Sequence, residues 1–265
     1  MPLNSAEKLN ANLREVRDVV FELSKHKFFS LSGLPEYRFF RRYVAAQIML
    51  LESKGGPSNA KFPNLRAMYQ SPAGDLKTES VRKILNYLVK ESGVSASSIV
   101  NSADFVTLFM LTSRLMKGYS LTNHAGSIRD FYNEFLLTVG QTSSAQSEKD
   151  LPFWNYKTWR KTSADSKASI EQRLRIMITE FHKTYPDLPQ KDPQREFDYW
   201  QRLAIFDKAK GCCQGSCPPG TYIRFEEGQY HHVKRWIDGG TTTVENGQSL
   251  CAACHQRVHA GGTEE

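Results

Sequence analysis

All five cysteines of the chain fall between Cys212 and Cys254, and four of its seven histidines fall between His231 and His259. This clustering limits the fold more than any other feature. The thiols form two arms, Cys212-Cys213 with Cys217, and Cys251-Ala-Ala-Cys254. Two residues between thiols let both reach one tetrahedral zinc from a tight knuckle. In the first arm either Cys213, with three residues before Cys217, or Cys212, with four, can supply the remaining ligand. A segment of fewer than about 60 residues buries little apolar surface, so a structural metal is the expected substitute for a core. In a reducing compartment five such thiols read as metal ligands rather than disulfides.

The opening Met-Pro-Leu-Asn-Ser-Ala-Glu-Lys has no basic start leading into an apolar stretch and a cleavage site, so no secretory signal is expected. The longest apolar run, residues 43–51, is too short to span a bilayer. A cytoplasmic protein without membrane attachment is the expectation. With 40% hydrophobic and 11% aromatic residues, the chain of 265 has ample material for a packed core, which excludes wholesale disorder.

Net charge is +7, and its distribution matters more than its total. From Gln201 onward seven Lys/Arg balance seven Asp/Glu, so the entire excess lies in residues 1–200. If the chemistry sits in the tail, the electrostatic grip on a polyanion must come largely from the region before it.

Up to about residue 210 the apolar residues return every three or four positions, which predicts helices over 5–26, 36–53, 78–91, 102–117, 123–139, 166–185 and 193–210. Residues 140–152, nearly devoid of apolar side chains, read as a linker or surface loop. Beyond 210 come glycines, prolines and short β-prone pieces such as 221–225, then a short helical stretch over 250–259. The expected organisation is a helical targeting or regulatory region over 1–200 and a small domain over 201–265.

Between and after the cysteine arms stand Tyr230-His231-His232-Val233, Gly239-Gly240, Asn246 and Cys254-His255-Gln256-Arg257-Val258-His259. In this order, with fourteen residues from His232 to Asn246 and nine from Asn246 to His255, the segment resembles the HNH endonucleases. The bracketing cysteines resemble the branch of that family built around a structural zinc. The resemblance covers about residues 202–259 and implies a ββα-metal fold, giving a mainly α chain ending in a small HNH nuclease domain. The doubled cysteine and its longer spacing depart from the family pattern.

Neighbouring strand residues point to opposite faces, so His231 and His232 are suited to different tasks. By resemblance His231 is a metal ligand and His232 the general base, its imidazole already near a working pKa. His255 and His259, four apart on a helix, share a face and can meet His231 at one catalytic cation. Asn246 takes an orienting role by resemblance. Mg, Mn, Ni and Zn all remain candidates for the catalytic cation, since three imidazoles suit the later metals while the cell offers mostly Mg. Lys234, Arg235 and Arg257 are placed to touch flanking phosphates. Trp236 and Ile237 are expected to pack beneath the loop. Upstream, Tyr37 to Tyr43 and Trp154 to Lys161 mix aromatic with basic residues. The first reads as an amphipathic helix and the second, through Lys157, Arg160 and Lys161, as nucleic-acid contact.

The expected function is metal-dependent cleavage of double-stranded DNA, in the setting of bacterial restriction or phage defence, with a homodimer as the arrangement that would cut both strands. A zinc-bearing nucleic-acid-binding module without catalysis is the alternative, against which the intact His232 argues. In a third reading, the helical region binds a protein or a small signal and controls the nuclease.

Overall fold

The computed structural model describes residues 2–11, 14–90, 96–124 and 126–260. Two compact units emerge: Met1–Met116 with His124–Asp187, and Lys117–Asn123 with Leu188–Glu265. The chain is mainly α.

The first unit comprises α1 (Ser5–Asn10), α2 (Glu15–Ser24), α3 (Lys27–Leu31), α4 (Phe40–Lys54), α5 (Phe62–Tyr69), α6 (Thr78–Lys90), α7 (Ser102–Gly118, whose last two residues belong to the second unit), α8 (Ser127–Gln141), α9 (Leu151–Lys161) and α10 (Lys167–Thr184). Its core centres on α4 and α7, buried over Val44 to Glu52 and Ala103 to Ser113 respectively, because both are apolar on nearly every face. Several of the polar groups carried inside are paired. The Glu52 carboxylate accepts hydroxyls from Ser80 and Ser113, both at 2.7 Å, which ties α4 to α6 and α7. The fully buried Arg173 donates to Thr107 Oγ1 and to the carbonyls of Trp159 and Ala164.

Several boundaries depart from the sequence expectation for local reasons. The helix expected over 5–26 is two helices, α1 closing on Ala11 after the turn-favouring Asn10 and α2 opening at Glu15. That expected over 36–53 starts at Phe40, because Arg38 (φ 50°) and Phe39 (φ 62°) adopt left-handed backbone. Arg38 is held there by a two-bond pairing with the Glu7 carboxylate, both contacts at 2.8 Å. The helix expected over 193–210 begins only at Tyr199, where Asp198 and Gln201 form a reciprocal capping box. Linker character is confined to 142–150, since α8 runs to Gln141 and α9 starts at Leu151.

The second unit holds α11 (Tyr199–Lys208), β1 (Gln229–His232), β2 (Gly247–Leu250) and α12 (Ala252–Ala260). The strands pair antiparallel in the register Gln229 with Leu250 through His232 with Gly247, and α12 follows β2 directly. Residues 221–225 do not form a strand. Thr221 and Ile223 instead bond back to Cys213 and Gly211 at 2.8 and 2.9 Å, leaving one isolated bridge from Tyr222 to Cys212. The core is small and rich in sulfur: Cys213, Ile223, Leu250 and Cys254, lined by Phe206, Cys217 and Cys251. A Cβ on Gly247 would meet the Ile205 side chain of α11, so the glycine lets that helix lie close against β2 without displacing it. The segment Lys117–Asn123 joins through Ser120 N–H to Pro189 (2.8 Å) and Lys191 N–H to Gly118 (2.9 Å). Among the described residues no helix is long and apolar enough to cross a membrane.

Candidate active site and metal centres

Two groups of metal-binding side chains converge in the second unit. Cys213, Cys217, Cys251 and Cys254 form the first, with their sulfurs within 4.8 Å of one another. Cys217 Sγ stands 3.6 Å from Cys251 Sγ and 3.4 Å from Cys254 Sγ. A tetrahedron with zinc–sulfur bonds of about 2.3 Å has edges of about 3.8 Å, so these sulfurs are already near the separations zinc requires. Backbone N–H groups aim at them, from Gly215 and Cys251 to Cys213 Sγ and from Cys254 to Cys251 Sγ. Hydrogen bonds from Cys217 and Ser216 pull the Cys254 thiol down to about 6, while its donor Cys217 is pushed up to about 12. The donor set therefore fits a structural zinc. Cys212 lies outside it, its sulfur bonded to the Lys210 carbonyl at 3.4 Å, which decides between the two adjacent thiols.

The second group is His231, His255 and His259, also within 4.8 Å. His231 projects from β1 and is buried; α12 presents His255 and His259 one turn apart, their Nε2 atoms separated by 3.2 Å. Burial, then the neighbouring imidazoles, hold His231 and His255 below the ordinary histidine value. Both are thus kept neutral, the form that ligates a metal.

His232 turns the other way. Its ring stacks on Phe197 with centroids 4.3 Å apart and planes 22° apart, and its Nε2 lies 3.1 Å from Thr242 Oγ1. Burial lowers its proton affinity; the carboxylate of Asp192 opposes that shift and the cation of Arg195 adds to it. Asn246 fastens the intervening loop. Its Oδ1 accepts from Lys234 N–H (2.8 Å), and its Nδ2 donates to the carbonyls of Lys234 (3.0 Å) and Thr241 (2.7 Å). A Cβ at Gly240 would strike the Lys234 carbonyl, so the glycine is a steric requirement of this closed loop.

The loop is braced by residues that the sequence alone did not single out. Asp192 accepts from Gln194 N–H (2.9 Å) through one oxygen and from Thr242 N–H (2.8 Å) through the other, which depresses its pKa. Its carbonyl receives the Trp236 indole N–H at 2.7 Å, and Lys191 and Arg195 lie over the same indole. Trp236 is half-buried as expected, whereas Ile237 is 55% exposed. Asp192, Gln194, Arg195 and Phe197 belong to no motif. The only local sequence cue was the threonine run 241–243 after the paired glycines.

The predicted phosphate contacts are differently placed. Lys234 is exposed; Arg235 is exposed but pairs with Asp238, and Arg257 reaches Cys254 Sγ at 3.6 Å. In the first unit Arg160 pairs with the buried Asp104 at 3.1 Å, Lys157 donates to the Thr142 carbonyl at 2.8 Å, and Lys161 is exposed.

Residues 213–261 match the family model described as HNH endonuclease. No curated protein and no solved structure matches the chain. The two antiparallel strands, the following helix and the four clustered thiols lie inside the matched stretch, so that residues 213–261 resemble the HNH family and carry a cysteine cluster that fits its zinc-binding branch.

Proposed function

We propose that the chain is a metal-dependent endonuclease that hydrolyses DNA phosphodiester bonds, with His232 as general base. The observation that supports this most directly is the separation of two consecutive histidines: His231 joins His255 and His259, while His232 is held apart on Phe197 and Thr242. A module that only bound nucleic acid would have no use for an imidazole so anchored.

His231, His255 and His259 would hold a divalent cation, Mg, Mn, Ni or Zn, which neutralises charge developing on the phosphoryl and leaving oxygens. His232 takes a proton from the attacking water, whose oxygen then bonds to phosphorus as the sugar oxygen departs. Asn246 keeps the loop closed and so keeps β1 and its histidines in register. Lys234, Arg235 and Arg257 steady the phosphates beside the scissile one. In the helical unit Lys161 is the exposed cation of α9 offered to DNA, because Lys157 and Arg160 are directed to Thr142 and Asp104. Double-stranded DNA is the proposed substrate, a homodimer the arrangement for cutting both strands, and bacterial restriction or phage defence the setting.

Plasmid cleavage by the purified chain across Mg, Mn, Ni and Zn, with His232→Ala alongside, tests the reading. Cleavage by the wild type and its loss in the variant are expected. DNA binding with no cutting in any metal would leave the zinc-bearing binding module.

A further inference from the structure

Thr242 sits at the crossing of four hydrogen bonds, although it is only 4% exposed. Its N–H donates to Asp192 Oδ2 (2.8 Å), its carbonyl accepts from Gln201 Nε2 (2.8 Å), and its hydroxyl oxygen meets both the Gln194 carbonyl and His232 Nε2. A hydroxyl has one proton to give, and a carbonyl can only accept. The Thr242 proton therefore points at Gln194, and towards His232 the oxygen offers only a lone pair. It follows that His232 must bring the proton to that contact, on Nε2.

We infer that Thr242 is a positioning residue that locks His232 in the Nε2-protonated tautomer and so makes Nδ1 the nitrogen that receives the proton of the attacking water. The inference rests on the nuclease reading for what that proton is used for, but the tautomer follows from the hydrogen bonds alone. The lock is rigid at both ends. Asp192 clamps Gln194 N–H with one oxygen and Thr242 N–H with the other, which fixes the carbonyl and the hydroxyl against each other. Gln194 is tied further through its side chain to Gln201 Oε1 (2.8 Å) and the Glu196 carbonyl (3.0 Å). Phe197, stacked on the imidazole, prevents it from tipping out of line with Oγ1. This assigns the stretch 192–197, upstream of the matched segment, to the support of the base.

The full chain, labelled with ¹⁵N-histidine, tests the lock by long-range nitrogen–proton correlation at about pH 8, where imidazoles are neutral. Wild type and Thr242→Ser should show His232 protonated at Nε2 only. Thr242→Val, which keeps the shape and loses the acceptor, should show a share protonated at Nδ1. Its cleavage should fall by roughly 10- to 100-fold, the loss found when the hydrogen-bond partner that fixes the tautomer of a metal-bound histidine is removed. Zinc content should be unchanged and Thr242→Ser should recover the rate. An Nδ1-protonated His232 in the wild type, or an unaltered Nε2-protonated His232 in a folded Thr242→Val protein, overturns the proposal. His232→Ala cutting at the wild-type rate would instead remove the nuclease role of His232, and the nitrogen spectrum would still report the lock.

Discussion

His231 and His232 differ by one position, and a strand's alternation gives them different company. One stands among imidazoles and the other on an aromatic ring. Their replacement should therefore fail in different ways. His232→Ala should cut about 100 to 10,000 times more slowly while keeping DNA binding and both metals, because proton abstraction alone is removed. His231→Ala should lose catalytic-metal affinity and cutting together. A gel shift, a cleavage assay and metal analysis on the same preparations distinguish the two; loss of metal from His232→Ala would exchange the roles. Residue types and spacing made these histidines legible in the sequence. The choice between Cys212 and Cys213 was not, because both spacings allow a zinc arm and only the fold of 211–223 decides which sulfur turns inward. Thr242 was invisible for a related reason: its role depends on a carbonyl 48 residues away.

At the scale of elements, β1, β2 and α12 could be read from a motif that prescribes them, and long amphipathic helices such as α6 and α10 from their periodicity. Short helices such as α3 and α5 were missed, since five to eight residues give periodicity too little length to register. The break before α4 was missed because nothing local marks Arg38 for left-handed backbone; its partner Glu7 belongs to another helix. That pair carries a pH signature. Arg38 and the Asn4 N–H hold the Glu7 carboxyl at about 2 against an ordinary 4.5, so its stabilisation is complete above 4.5 and lost as pH falls towards 2. Glu7→Gln should melt below wild type at neutral pH, and the gap between their melting temperatures should close on acidification. The sulfur-rich core makes its own prediction. Zinc analysis of the His231/His255/His259 triple alanine protein should still return about one zinc per chain, because four thiolates suffice. Cys251→Ser should lose it, and the amides of β1 and β2 should then exchange freely. A triple variant without zinc would sink the structural-metal assignment.

For the whole molecule, charge and chemistry are separated along the chain. Residues from Gln201 onward are formally neutral, and four thiolates on one zinc would make them more negative. The full chain should bind DNA far more tightly than a fragment of residues 188–265, with a steeper fall of affinity as salt rises. Equal affinities and equal salt slopes would refute this. A second fragment, 201–265, should cut more weakly than 188–265, because it lacks the residues that clamp Thr242 and stack on His232. Both metal groups are closed by the same nine residues, Cys251 to His259, around the last helix. In translation these residues emerge after Cys213, Cys217 and His231. Until they do, a nascent chain has two of the four clustered thiols and one of the three clustered imidazoles. On the proposed reading, a chain ending before residue 251 would therefore keep the basic excess of residues 1–200 and bind DNA without cutting it.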